Sequence, residues 1–185
     1  MINTINNKVF RNANEAYEYL HDRIIQDGVE FGDTKALFNV GFYITDPMDN
    51  KIINKERNWK LDYAEAEWKW YLSGDRNIVE LGEIYGKIPQ IWHRMADTEG
   101  NVNSNYGWQW KRNKQLDYVV DLLRTETNTR QACISIYDGK EHDTYKYDTP
   151  CTYAVQFTMV HGRLCLLYTS PSPRDRTRSR MPSSA

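Results

Sequence analysis

At 185 residues, with 40% hydrophobic and 13% aromatic side chains, the chain is long enough to bury a core and too apolar for a disordered segment. Net charge is −1, the N-terminus MINTINNKVF lacks the basic start and apolar centre of a secretion signal, and no apolar run reaches the roughly 20 residues of a membrane span. The cysteines at 133, 151 and 165 form neither a paired framework nor a metal-type spacing, so the expectation is a reduced cytoplasmic chain with no metal, membrane or nucleic-acid partner.

In chain order, Asn12 followed by Glu15 makes a capping-box pattern. Ala13, Ala16, Tyr17, Leu20 and Ile24 then repeat at helical spacing as far as Gly28. Ala36, Phe38, Val40, Phe42 and Ile44 alternate with their neighbours and predict one strand, ended by Asp46-Pro47. Residues 60–73 predict a helix with an apolar stripe of Leu61, Ala64, Trp68, Tyr71 and Leu72, stopped by Gly74. A short helix is expected over Asn77–Tyr85, and Leu116, Val119, Val120 and Leu123 give an amphipathic one. Strands Arg130–Tyr137 and Thr152–Val160 follow, with His161-Gly162 as a hairpin turn and a returning strand after it. Helices and strands alternate without a strict βαβ rhythm, which predicts an α+β fold rather than a doubly wound sheet.

From Cys165 onward the composition changes to Ser, Pro and Arg. Four Arg and one Asp there contribute +3, leaving −4 on Met1–Leu164. Cys165–Asp175 can be spelled in codons as a transposase-type sequencing-library adapter read in frame, and Ser179–Ala185 as its flow-cell end. The expectation is therefore a domain over 1–164 and a non-native, disordered tail over 165–185, with the natural chain cut near Leu164. No Walker loop, GxGxxG, HExxH or Cys/His cluster occurs, and the four histidines are scattered.

Glu67-Trp68-Lys69-Trp70-Tyr71-Leu72-Ser73-Gly74-Asp75 resembles the E-x-x-W-F-L-x-G-D segment of the thymidylate synthase family. Ile91-Trp92-His93-Arg94-Met95-Ala96-Asp97 resembles its I-W-x-x-W-A-D, and Tyr106-Gly107-Trp108-Gln109-Trp110-Lys111 its Y-G-x-Q-W-R. Thr129-Arg130-Gln131 stands where the family has S-R-R, and Pro150-Cys151 with Gln156-Phe157 is similar to P-C-H-x-x-x-Q-F. Each segment alone is weak; in this order, from about Trp59 to Leu164, they form a strong signal.

The resemblance implies a three-layer α+β fold with a mixed sheet, incomplete at the C-terminus. It implies transfer of a one-carbon unit from 5,10-methylenetetrahydrofolate to C5 of dUMP, giving dTMP, through a Cys151 thiolate adduct at C6. The chemistry accounts for the residue type. Pyrimidine C5 is a poor nucleophile until something adds at C6, and a thiolate both adds readily and leaves again. By the same resemblance Glu67 relays protons as a general acid/base, and Tyr106 helps remove the C5 proton. Arg130 reaches the substrate phosphate across a homodimer interface, Gln156 steadies the nucleotide pocket, and Trp92 packs against the folate ring.

The chain departs from the pattern at Thr152, Met95 and Gln131, which stand in place of His, Trp and Arg. The family's R-T-G-T loop is not recognisable, and Arg57 is a candidate for that phosphate role with no motif behind it. Asn39-Val40-Gly41-Phe42-Tyr43-Ile44-Thr45-Asp46-Pro47 looks closer to the dCMP hydroxymethylase branch. The alternatives are thus a hydroxymethylase acting on dCMP or dUMP, and an inactive fragment with partial nucleotide-binding surface. The family's base-selecting Asn or Asp would lie beyond Leu164.

Overall fold

The computed structural model describes residues 6–32 and 34–169. They fall into two compact units with the boundary between Lys60 and Leu61. The division follows from Asp46–Lys60, a polar stretch without helix or strand that has little apolar surface to bury.

In the first unit, β1 (Lys8–Phe10) pairs in parallel with β4 (Phe42–Ile44), and β2 (Val29–Phe31) pairs antiparallel with β3 (Thr34–Ala36). Helix α1 (Ala13–Asp27) begins as expected. The Asn12 side chain accepts the Glu15 N–H at 2.9 Å, and the Glu15 carboxylate reaches back to the Arg11 N–H at 2.7 Å. The single strand expected over Ala36–Ile44 is instead the end of β3 and the whole of β4, in two different sheets. Asn39 lies between them in the left-handed region (φ 57°), which no strand accommodates and which Asn tolerates better than most residues.

The second unit opens with α2 (Leu61–Ser73), α3 (Ile78–Tyr85) and α4 (Gln90–Met95). The buried face of α2 is not the expected stripe. Ala66 and Trp70 are buried with Tyr63 and Tyr71 packed beside them, while Leu61, Trp68 and Leu72 are exposed. Trp70 decides the rotation of the helix. Its indole stacks edge-on against Trp92 (centroids 5.2 Å apart) and donates to the Asn77 carbonyl at 3.1 Å, satisfying ring and N–H together. Ile78, Leu81, Met95 and Val102 complete this core.

A second core forms where α6 (Gln115–Thr125) packs on β5 (Cys133–Ser135) and the adjoining β6 (Ala154–Val160), with β7 (Arg163–Thr169) paired to β6 and exposed. This sheet is antiparallel throughout, in the order β5-β6-β7. Ala132, Ile134 and Ile136 alternate inward against Val119, as strand periodicity requires. The turn at His161 (φ 48°) and Gly162 (φ 74°) makes the expected hairpin. Between the two cores lies α5 (Tyr106–Lys111), which the sequence did not suggest. The segment expected to be disordered from Cys165 begins inside β7, with Cys165 opposite Thr158 and Tyr168 opposite Val155. Residues 170–185 lie outside the described residues. Among the described residues, no helix is long and apolar enough to cross a membrane.

Candidate active site

Cys151 sits at the end of the turn Asp148-Thr149-Pro150, just before β6, and is half-buried. The turn is fixed through its backbone. The Tyr106 hydroxyl accepts the N–H of Cys151 at 2.9 Å and the N–H of Thr152 at 3.2 Å. Three residues upstream, the buried Asp148 carboxylate accepts the Ser104 N–H at 2.6 Å and the Ser104 hydroxyl at 2.7 Å. Asn103 donates to the Asp148 carbonyl at 3.0 Å, and Gln109 donates to the Asn103 carbonyl at 2.8 Å. Segment 103–109 thus clamps the cysteine turn at two points.

Helix α5 is itself anchored to the end of α2. Asn105 caps α5 by accepting the Trp108 N–H at 2.8 Å, and its amide donates to the carbonyls of Trp70 (3.1 Å) and Asp75 (2.9 Å). A Cβ on Gly107 would lie 1.5 Å from the Tyr71 carbonyl oxygen, so the Tyr-Gly pair is required by close approach of the two backbones. Tyr71 in turn meets the Tyr106 ring edge to face at 5.7 Å.

Burial pushes the Tyr106 phenol up to about 12, the neighbouring Cys151 adds to the rise, and the two backbone N–H donors partly offset it. Tyr106 therefore enters any reaction near neutral pH as a neutral phenol. With its oxygen accepting from the nucleophile turn, its own proton is available for donation elsewhere.

Glu67 lies on α2 one helical turn before Tyr71, half-buried. The Tyr63 hydroxyl donates to its Oε1 at 2.8 Å and itself accepts the Trp92 indole N–H at 2.7 Å. Glu67 and Trp92 are thus joined through Tyr63, and Tyr106 and Cys151 are in direct contact. Tyr71 bridges the two groups, being helical neighbour to Glu67 and ring neighbour to Tyr106.

Three other expected site residues fare differently. Trp92 is 1% exposed, enclosed by Trp70, Met95 and Val102 with its N–H committed to Tyr63. In this structure its ring holds a core position that supports Tyr63. Arg130 is exposed in the loop before β5, beside the buried Thr129. Gln156 is half-buried on β6, opposite Cys133 on β5 and Leu167 on β7, and on the other face from Val155 and Phe157, which pack into the second core. Neither Arg130 nor Gln156 is drawn into the hydrogen bonds of the Cys151 turn.

Sequence reasoning missed Tyr63, Asn103, Ser104 and Asp148. Val102–Asn105 reads as a polar loop, yet all four residues are buried. The usable signal was Asp148 itself, an acidic residue just upstream of a Pro-Cys pair. Tyr63 carried a signal too, four residues before Glu67 and hence on the same helix face.

A family model described as thymidylate synthase matches residues 15–172. A deoxyuridylate hydroxymethyltransferase of Delftia phage PhiW-14 is 28% identical over 149 residues, covering 73% of this chain and 40% of that protein. Among solved structures, thermostable thymidylate synthase A from Bacillus subtilis matches with a TM-score of 0.57 at 22% identity, over 87% of this chain and 65% of that one. Thymidylate synthase from T4 phage matches with a TM-score of 0.47 at 24% identity, over 66% and 46% respectively. The chain therefore spans less than half the length of the curated relative and about two thirds of the Bacillus enzyme.

Proposed function

The chain belongs to the thymidylate synthase family, and from that premise we propose that it forms the nucleophile-bearing part of a one-carbon transferase acting at C5 of dUMP. The observation that carries this reading is the double hydrogen bond of Tyr106 to the backbone of Cys151 and Thr152. It places a neutral phenol beside the thiol. In the proposed reaction the Cys151 thiolate adds to C6 of the pyrimidine and C5 becomes nucleophilic. C5 takes up the one-carbon unit, and its proton departs to a water oriented by donation from the Tyr106 hydroxyl. The thiolate is then expelled as the C5–C6 double bond re-forms. Glu67 serves the ring as acid and base through water. Methylenetetrahydrofolate is the donor the family implies; it would supply carbon at the formaldehyde level and, for a methyl product, the hydride that reduces it, leaving dihydrofolate, and no residue of this chain is assigned to hold it.

Two products are open to such a site. The sequence resemblance puts methylation to dTMP first. The similarity to a deoxyuridylate hydroxymethyltransferase favours the second reading, capture of the transferred methylene by water to give a hydroxymethyl nucleotide. The test is incubation of the intact protein with folate donor and either dUMP or dCMP, followed by mass analysis of the nucleotide. A methyl or hydroxymethyl product from dUMP supports the proposal, and product from dCMP alone overturns its substrate.

We further propose a homodimer in which Arg130 serves the partner's phosphate site. Mixing inactive Cys151→Ala and Arg130→Ala chains should then restore activity by rebuilding one intact site. Failure of that rescue after proven subunit exchange counts against a shared site.

A further inference from the structure

Trp92, Tyr63 and Glu67 form a chain of hydrogen bonds that, with Glu67 ionised, runs from the indole to the carboxylate. An indole N–H is a donor and never an acceptor, so the Tyr63 oxygen must accept from Trp92, 2.7 Å away. The phenolic hydrogen then points away from the indole, toward Glu67 Oε1 at 2.8 Å. That oxygen is consequently an acceptor. A proton on it would face the phenolic hydrogen, so while Tyr63 donates at this contact Glu67 carries its exchangeable proton on Oε2.

The support behind Tyr63 is rigid. Its ring meets Tyr85 edge to face at 5.3 Å, and Trp92 is 1% exposed and stacked on the fully buried Trp70. The donor side of the chain therefore belongs to the first core of the second unit, while the acceptor side ends at the carboxylate beside the active-site tyrosines.

We propose that Tyr63 is a positioning residue for proton transfer at Glu67, holding Oε1 as a fixed acceptor and directing the exchangeable proton to Oε2. This rests on the reading of Glu67 as the site's acid and base. It gives the buried Trp92 a part in the site without any contact to substrate. It also defines what Tyr63 contributes: a hydrogen bond to the ionised carboxylate, which keeps Glu67 ionised to lower pH than it would otherwise be.

The experiment is a pH titration of the Glu67 side-chain carboxyl by carbon-13 NMR in the full chain, its resonance assigned by loss in Glu67→Gln. In Tyr63→Phe the midpoint should rise by about half to one pH unit, the effect of removing one hydrogen bond to the charged form. Replacing Tyr63 by 3-fluorotyrosine, whose more acidic phenol is a stronger donor of nearly the same size, should lower it. The fluorinated chain decides the matter if Tyr63→Phe does not fold. A midpoint unmoved by these changes, or moved in the same direction by both, overturns the proposal, because a purely packing role for Tyr63 has no such sign. If the midpoint moves as expected but Glu67→Gln leaves turnover intact, the acid/base reading of Glu67 fails instead.

Discussion

The turn that carries Cys151 and the helix that carries Glu67 are held in opposite ways. At Cys151 the protein grips the backbone, through Tyr106 at one end of the turn and Asp148 at the other. At Glu67 the helix already supplies the backbone hydrogen bonds, and the protein grips one oxygen of the side chain instead. The contrast follows from the local structure. A turn before a strand leaves N–H groups without regular partners, and each must be satisfied if buried. A helix interior leaves none, so only the side chain remains to be steered. Damage to the turn should therefore appear as lost stability, and damage at the helix as altered proton chemistry.

The largest effect on folding is expected at the turn. Asp148→Ala leaves the buried Ser104 N–H and hydroxyl without their acceptor and should lower stability by about 3 kcal/mol in urea denaturation. Ser104→Ala removes only one of the two bonds and should cost about 1 kcal/mol. If Asp148→Ala is as stable as the native chain, the turn is not clamped there and the contrast collapses.

Tyr106→Phe should follow, at about 2 kcal/mol, because two backbone donors lose their acceptor. It has a second signature in alkali. The Tyr106 phenol is raised from 10.0 to about 12 in the folded protein. Its contribution is therefore complete below pH 10.0, and is lost as pH rises through about 12, since the unfolded chain gives up its proton first. Tyr106→Phe should flatten that alkaline loss; an unchanged profile would place the phenol outside the buried site. Tyr63→Phe takes the acceptor from the buried Trp92 N–H and should cost about 1 to 2 kcal/mol, less than Asp148→Ala, while water can replace the phenol at the half-buried Glu67. Its effect belongs to the titration of Glu67. A stability loss as large as that of Asp148→Ala would erase the distinction between the two regions.

Much of this was legible in the sequence, for identifiable reasons. Local chemistry wrote itself plainly: the Asn12 cap, the His161-Gly162 turn and the Ala132–Ile134–Ile136 alternation each depend on neighbouring residues alone. Cys151, Tyr106 and Glu67 were singled out because the resemblance fixes them by order and spacing. What failed depended on packing. The buried face of α2 was misread because Trp68 and Trp70 are equally apolar on paper, and only the pocket made by Trp92 and Asn77 selects Trp70. The motif that contains Trp92 says nothing of the tyrosine at 63 that takes its N–H. The Asp148–Ser104 clamp joins residues 44 apart in sequence, a pairing that no local pattern announces.

The central claim, that the Cys151 thiol held by this turn adds to the pyrimidine ring, is tested most directly by release of tritium from C5 of labelled dUMP in the presence of the folate donor. The intact protein should release label, and Cys151→Ala should release none while keeping its folded spectrum and urea midpoint. Undiminished release by Cys151→Ala would contradict the account, because C5 would then be activated without the sulfur adduct on which every other residue's role depends.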